Sequence, residues 1–359
     1  LEFLAEYGLF LAKVATVVIA VVIIVSAVVG ASQKNKQGDK GHLEITPLNQ
    51  QFDDMSEAML IATMDEAVQK AEEKKLHKAK KKQAKLDKKH SKKASKEAGD
   101  GEEAQSKSRV FVLNFNGNIS ASATSHLREE ITAVLTQATA NDEVLVKLES
   151  PGGMVHSYGL ASSQLDRIRK AQIPLTVCVD KVAASGGYMM ACVADKILAA
   201  PFAIIGSIGV VAQLPNFNKV LKKHDVDYEI LTAGKYKRTL TMFGENTPKG
   251  RKKFVEDLED VHQLFKAHVS SRRPQLDIDK IATGETWYGS QALEMAMVDD
   301  VQTSDEYLVS RIKEADVYEV AYVHKKKLHE KLGIAAEESA DRLLLKWWTR
   351  LTQDTNKQV

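Results

Sequence analysis

Between Val110 and Ala199 the chain alternates short, continuous apolar runs with stretches whose apolar residues recur every three to four positions. Val110-Phe111-Val112-Leu113-Asn114-Phe115, Val144-Leu145-Val146-Lys147-Leu148, Leu175-Thr176-Val177-Cys178-Val179 and Lys196-Ile197-Leu198-Ala199 read as strands. Residues 123–138, with Leu127, Ile131, Val134 and Leu135 on one face, and residues 155–170 read as helices between them. Such alternation demands crossover connections, so the domain is α/β, with a mainly parallel sheet covered by helices. Two further strands are expected at residues 208–211 and 228–231, then a long helix over residues 248–273 and a closing segment over residues 284–301.

The third strand of this series leads straight into Ala184-Ser185-Gly186-Gly187-Tyr188, a serine in a tight turn that opens a small-residue helix. A hydroxyl there sits at a helix N-terminus, where free N–H groups and the dipole favour developing negative charge. The plain reading is an N-cap, the commonest role of serine at such a position. The second strand ends in Ser150-Pro151-Gly152-Gly153, which presents backbone N–H groups without a Cβ in the way. Ends of successive strands in an α/β sheet face one crevice, so the two turns should lie side by side. One would supply a nucleophile and the other oxyanion donors.

A nucleophilic serine needs a base, and the ten histidines offer no clear partner. His126 and His156 fall early in helices, His224 lies beside Lys222 and Lys223, and His262 and His268 read as helix surface. Lysine serves instead when it is neutral, which burial in apolar surroundings promotes. Lys235 and Lys237, in Gly234-Lys235-Tyr236-Lys237 just after the expected strand at 228–231, are the candidates, and the residues alone do not separate them. Cys178 and Cys192 lie in apolar contexts and read as buried core thiols, so they do not fix a redox compartment.

Outside this domain, the net charge of +2 conceals strong segregation. Residues 8–30 carry one charge, Lys13, and residues 14–29 none, enough at about 1.5 Å per residue to cross a hydrocarbon core of roughly 30 Å. Residues 1–32 are therefore taken as a membrane anchor, since acidic Glu2 and Glu6 argue against a cleaved signal peptide. A short juxtamembrane segment, residues 33–68, carries an expected amphipathic helix over 55–68. Lys-rich residues 69–108 read as a tether able to touch anionic lipid, and without interleaved aromatics they do not suggest nucleic acid. Residues 331–359 read as an amphipathic tail with Trp347 and Trp348.

Taken together, Ser150-Pro151-Gly152-Gly153, Ala184-Ser185-Gly186-Gly187-Tyr188, Ile205-Gly206-Ser207-Ile208-Gly209-Val210 and Gly234-Lys235-Tyr236-Lys237 resemble the signal peptide peptidase A family of membrane-anchored serine proteases, serine peptidase family S49, over about residues 105–330. The resemblance implies a ClpP/crotonase-like fold of repeated β-β-α/βα units over residues 109–330, and a Ser/Lys dyad needing no metal or cofactor. Carried over by position, Ser185 is the nucleophile, Lys237 the general base, Ser207 the residue that orients the lysine, and Gly152 with Gly153 the oxyanion turn. Gly284-Glu285-Thr286-Trp287-Tyr288 and Met297-Val298-Asp299 match a family segment of structural character.

The sequence holds one copy of the domain where longer family members hold two, which implies a homo-oligomer whose active sites are shared between subunits. Peptide substrates such as cleaved signal peptides, and a place in the bacterial inner membrane, follow from the same resemblance. It favours a periplasmic domain, whereas Lys34, Lys36 and Lys40 after the anchor favour a cytoplasmic one. Two other classes compete: a non-catalytic membrane scaffold, and a crotonase-like acyl-CoA enzyme, which would not need a serine at 185 with a lysine in reach.

Overall fold

Five consecutive parallel pairings build the main sheet of the computed structural model, which describes residues 41–64 and 107–324 and the isolated Thr16. The expected anchor (1–32), nearly all of the Lys-rich tether and the tail (331–359) lie outside the described residues. No helix among the described residues is long and apolar enough to cross a membrane. Glu44–Ala321 forms one compact unit; residues 41–43 and 322–324 belong to a second.

In chain order the elements are β1 (His42–Pro47), α1 (Leu48–Ala62), β2 (Arg109–Asn116), α2 (Thr124–Leu135), β3 (Glu143–Glu149), α3 (Val155–Lys170), β4 (Leu175–Val179), β5 (Val182–Ala184), α4 (Gly186–Ala191), β6 (Lys196–Ala199) and β7 (Ile204–Gly206). They continue as α5 (Asn218–Lys223), α6 (Pro248–Arg272), α7 (Ile278–Ile281), β8 (Thr286–Tyr288), α8 (Gly289–Glu294), β9 (Asp300–Val301), α9 (Ser304–Ile312) and β10 (Asp316–Val323). The seven-stranded sheet runs β1-β10-β2-β3-β4-β6-β9, and a three-stranded sheet runs β5-β7-β8, its first pair parallel and its second antiparallel. The fold is α/β, and the five pairings from β10 through β2, β3, β4 and β6 to β9 are parallel.

Both faces of the large sheet are covered, which is why its strands read as continuous apolar runs. Leu113, Phe115, Val146 and Val177 pack with Leu127, Leu165 and Met190 of the helices on one side, while Val112, Leu145 and Leu198 meet Leu48 and Leu308 on the other. Cys178 and Cys192 are buried free thiols; burial raises both, Cys192 to about 12.

Three expectations are corrected. The juxtamembrane helix begins at Leu48, straight after Pro47, and ends at Ala62, so it starts seven residues before the expected position. No strand forms at 208–211; the strand lies earlier, at Ile204–Gly206, and ends because Gly206 (φ 107°) and Ser207 (φ 52°) turn the chain out of the extended region. Residues 228–231 also form no strand. Leu231 is 92% exposed and Val211 79%, and neither stretch pairs with a strand among the described residues.

Candidate active site

Ser185 stands at the N-terminus of α4, yet its side chain makes no capping hydrogen bond. Its backbone, at φ 52° and ψ −116°, lies in a region that non-glycine residues rarely adopt, at a cost of about 1–3 kcal/mol. A strained serine at a sharp strand-to-helix turn is the geometry of a nucleophile elbow, in which the hydroxyl is pushed clear of the backbone. The surroundings enforce the strain. Ser185 N–H donates to Gly206 O at 2.7 Å, Met189 N–H donates to Ser185 O at 2.9 Å, and α4 is locked beneath by buried Tyr188, whose hydroxyl donates to Met297 O at 2.9 Å.

Strand β5 brings three turns to this point. Ala184 N–H donates to Ser150 O and Ser150 N–H to Val182 O, which ties the Ser150-Pro151-Gly152-Gly153 turn to one side of the strand. On the other side Ala184 pairs in register with Gly206, so the next residues, Ser185 and Ser207, leave the sheet as neighbours. Both have φ of 52°. Ser207 N–H donates to Glu285 O at 2.6 Å, and the Trp287 ring closes on Gly206 so tightly that a Cβ there would lie 2.8 Å from it.

The two turns do abut: a Cβ on Gly152 would fall 2.8 Å from both Ser185 Cβ and Gly186 N. They line one cleft of about 690 Å³, together with Ser207, apolar Ile119, Val155, Val210 and Val211, and His262, Thr283 and Gly284. Gly152 N–H donates to Ser150 Oγ at 3.1 Å and is therefore committed. Among the described residues Gly153 N–H and Gly186 N–H have no hydrogen-bond partner; Gly153 lines the cleft with Ser185, and Gly186 directly follows Ser185. Gly186 escaped the sequence reading, although the residue after an elbow serine is where such a donor belongs.

Neither candidate lysine lines this cleft. Lys235 lines a separate pocket, its Nζ 5.1 Å from the centroid of the Tyr236 ring. Lys237 is exposed, its N–H donating to Gly234 O at 3.2 Å in the turn that begins at Gly234 (φ 100°). Two histidines expected on the helix surface are half-buried and turn their rings inward. His262 lines the Ser185 cleft, with its buried Nε2 unpartnered among the described residues. His268 Nε2 bonds Met189 O at 3.0 Å and contacts Ser162 Oγ at 3.2 Å, and burial lowers its pKa. The segment assigned no chemistry, around Gly284, supplies part of the cleft wall.

An elbow serine beside an N–H-lined glycine turn defines a serine hydrolase type of site. Two family models cover the chain: peptidase family S49 N-terminal over residues 2–165, and peptidase family S49 over residues 167–318. The chain is 50% identical over 353 residues to "Probable protease SohB" of Haemophilus influenzae, covering 98% of each sequence. It is 47% identical to "Probable protease SohB" of Buchnera aphidicola subsp. Schlechtendalia chinensis, covering 87% of this chain and 100% of that one. Among solved structures it is similar to 1510-N, a membrane-bound stomatin-specific protease in complex with a substrate peptide, at a TM-score of 0.38 and 16% identity over 63% of this chain and 96% of that one. The chain belongs to serine peptidase family S49 and is a protease of that family.

Proposed function

We propose that this protein is a membrane-anchored endopeptidase in which Ser185 attacks the peptide carbonyl and Lys237 of a neighbouring copy acts as general base. The strained, uncapped Ser185 elbow against the Gly152-Gly153 turn carries this reading. Ser185 Oγ bonds to the carbonyl carbon as Lys237 Nζ takes its proton. The oxyanion is held by N–H groups of Gly153 and Gly186, in place of the pair Gly152 and Gly153. The C–N bond then breaks, the leaving amine receives the proton from Lys237, and water releases the acyl group by the same route. Ser207, beside Ser185 in register, orients the incoming lysine.

Sharing of the site is supported by the position of Lys237, exposed and outside the cleft of its own chain. Its segment also exposes Leu214, Phe217, Val220, Val226, Tyr228 and Leu231, an apolar surface of the kind that a second copy buries. Apolar walls from Ile119, Val155, Val210 and Val211 suit hydrophobic peptides such as cleaved signal peptides. The β4-β5-α4 succession, a strand pair followed by a helix, fits the ββα repeat of the ClpP/crotonase-like fold. We assign the apolar segment at 8–30 as an inner-membrane anchor and the lysines after it to the lipid surface; protease accessibility in spheroplasts tells which side the domain occupies.

The test uses full-length protein in detergent and quenched fluorescent casein. Ser185→Ala and Lys237→Ala should each lose at least about 1,000-fold in kcat, the scale of losing a nucleophile or its base. Mixing the two inactive variants during assembly should restore part of the activity. Full activity in Ser185→Ala sinks the nucleophile, and no recovery on mixing places both groups in one subunit. Activity lost in Lys235→Ala but retained in Lys237→Ala reassigns the base to Lys235.

A further inference from the structure

One buried side chain touches both turns of the cleft. Tyr158, on α3, is fully buried, and its ring lies directly under Gly186: a Cβ on that glycine would fall 2.3 Å from Tyr158 Cγ. Its hydroxyl donates to Asn118 O at 2.8 Å and lies 2.6 Å from Ser150 Oγ. A phenol has one proton to give, so with that proton on Asn118 O the Ser150 hydroxyl must donate to Tyr158 Oη. Ser150 Oγ in turn accepts from Gly152 N–H at 3.1 Å. The bonds therefore run in one direction, from Gly152 N–H through Ser150 and Tyr158 to the Asn118 carbonyl.

Among the described residues no other group bonds Ser150 Oγ or Tyr158 Oη. Ser150 is fully buried, and Gly117 packs so closely that a Cβ on it would fall 2.5 Å from both hydroxyl oxygens. Burial raises the Tyr158 phenol above its ordinary value, so it remains a donor throughout the working pH range. Aligned hydrogen bonds in a dry site strengthen one another, and a gap in the chain leaves a buried group unpaired.

We propose that Tyr158 is a positioning residue of the oxyanion site: through Ser150 it holds the Gly152 N–H away from the cleft, so that the turn presents Gly153 N–H, while its ring fixes Gly186 on the opposite side. This rests on the reading of Ser185 as nucleophile. Tyr158 never meets substrate. It sets the spacing between two donors that would otherwise belong to independently moving turns, and small errors in such spacing are costly to catalysis.

Tyr158→Phe keeps the ring under Gly186 and removes only the hydroxyl. With quenched casein, kcat should fall on the order of 10- to 100-fold, short of deleting an oxyanion donor, while KM stays within about twofold. Ser150→Ala should produce a similar kcat loss, and the double variant should lose little more than either alone, because both break one chain. Wild-type kcat in a folded Tyr158→Phe, or fully additive losses in the double variant, overturns the proposal. If Tyr158→Phe fails to fold, Ser150→Ala with wild-type kcat overturns it equally. Ser185→Ala run alongside separates the two ideas: activity there removes the nucleophile itself, whereas a dead Ser185→Ala beside a fully active Tyr158→Phe removes only the positioning role.

Discussion

The segment that presents Ser185 and the segment that presents Lys237 are built on opposite terms. Residues 174–207 are threaded through both sheets, and Ala183, Tyr188, Met190 and Ile205 are fully buried there. Residues 210–247 hold one short helix, α5, and leave most of their apolar side chains in water. The contrast teaches where strain is affordable. A positive-φ serine persists only where neighbours over-determine it, and the packed half supplies those neighbours. In the open half positive φ falls on Asp225 (φ 56°) and Gly234 (φ 100°), residue types that tolerate it.

Paired glycine substitutions give the largest expected separation. Gly186→Ala drives a Cβ into the buried Tyr158 ring at 2.3 Å, so it should cost about 3 kcal/mol or more and abolish hydrolysis. Gly234→Ala, whose Cβ meets nothing closer than Lys237 Cβ at 3.9 Å, carries only its φ of 100°, about 1–2 kcal/mol. Thermal melting of both variants checks this, and equal destabilisation would erase the contrast.

Acid should reach the main sheet through Asp142, in the turn just before β3. Burial alone would raise this carboxyl, but hydrogen bonds from Arg109 and Thr139 outweigh it and bring the pKa to about 2 from 3.8. The folded value lies below the unfolded one, so the stabilisation is complete above pH 4 and lost as pH falls toward 2. It amounts to about 2 kcal/mol. Asp142→Asn should flatten that stretch of a denaturation-versus-pH curve. The smallest effect belongs to the open half, where the exposed Lys222–Glu245 pair at 3.2 Å should be worth under about 0.5 kcal/mol, so Glu245→Gln should leave the urea midpoint nearly unmoved.

What the sequence could disclose follows the same division. Helix Val155–Lys170 and strands Leu175–Val179 and Lys196–Ala199 occupy their expected positions because apolar period and burial agree locally. Residues 208–211 and 228–231 have strand composition, but a strand needs a neighbour and none among the described residues pairs with them. His262 and His268 were hidden by charged helix neighbours such as Glu259 and Lys266; only tertiary packing shows that they face inward. Tyr158 looked like any helical tyrosine, since nothing local links it to Ser150 or Gly186. The nearness of the serine and glycine turns was legible from strand order, but which N–H was already spoken for was not.

Helix α6 gives the open half a mechanical property. Its far end is clamped: Arg273, just beyond it, donates to both Asp299 carboxylate oxygens at 2.9 and 2.8 Å and to Ala296 O at 3.0 Å. Its 25 residues make a rod of about 37 Å. At the near end, capped by Thr247, it receives the segment that carries Lys237. A tilt of about 5° about the clamp would carry that end about 3 Å, and His262, partway along, roughly half as far. Any tilt about that anchored end would therefore displace the Lys237-bearing end about twice as far as His262.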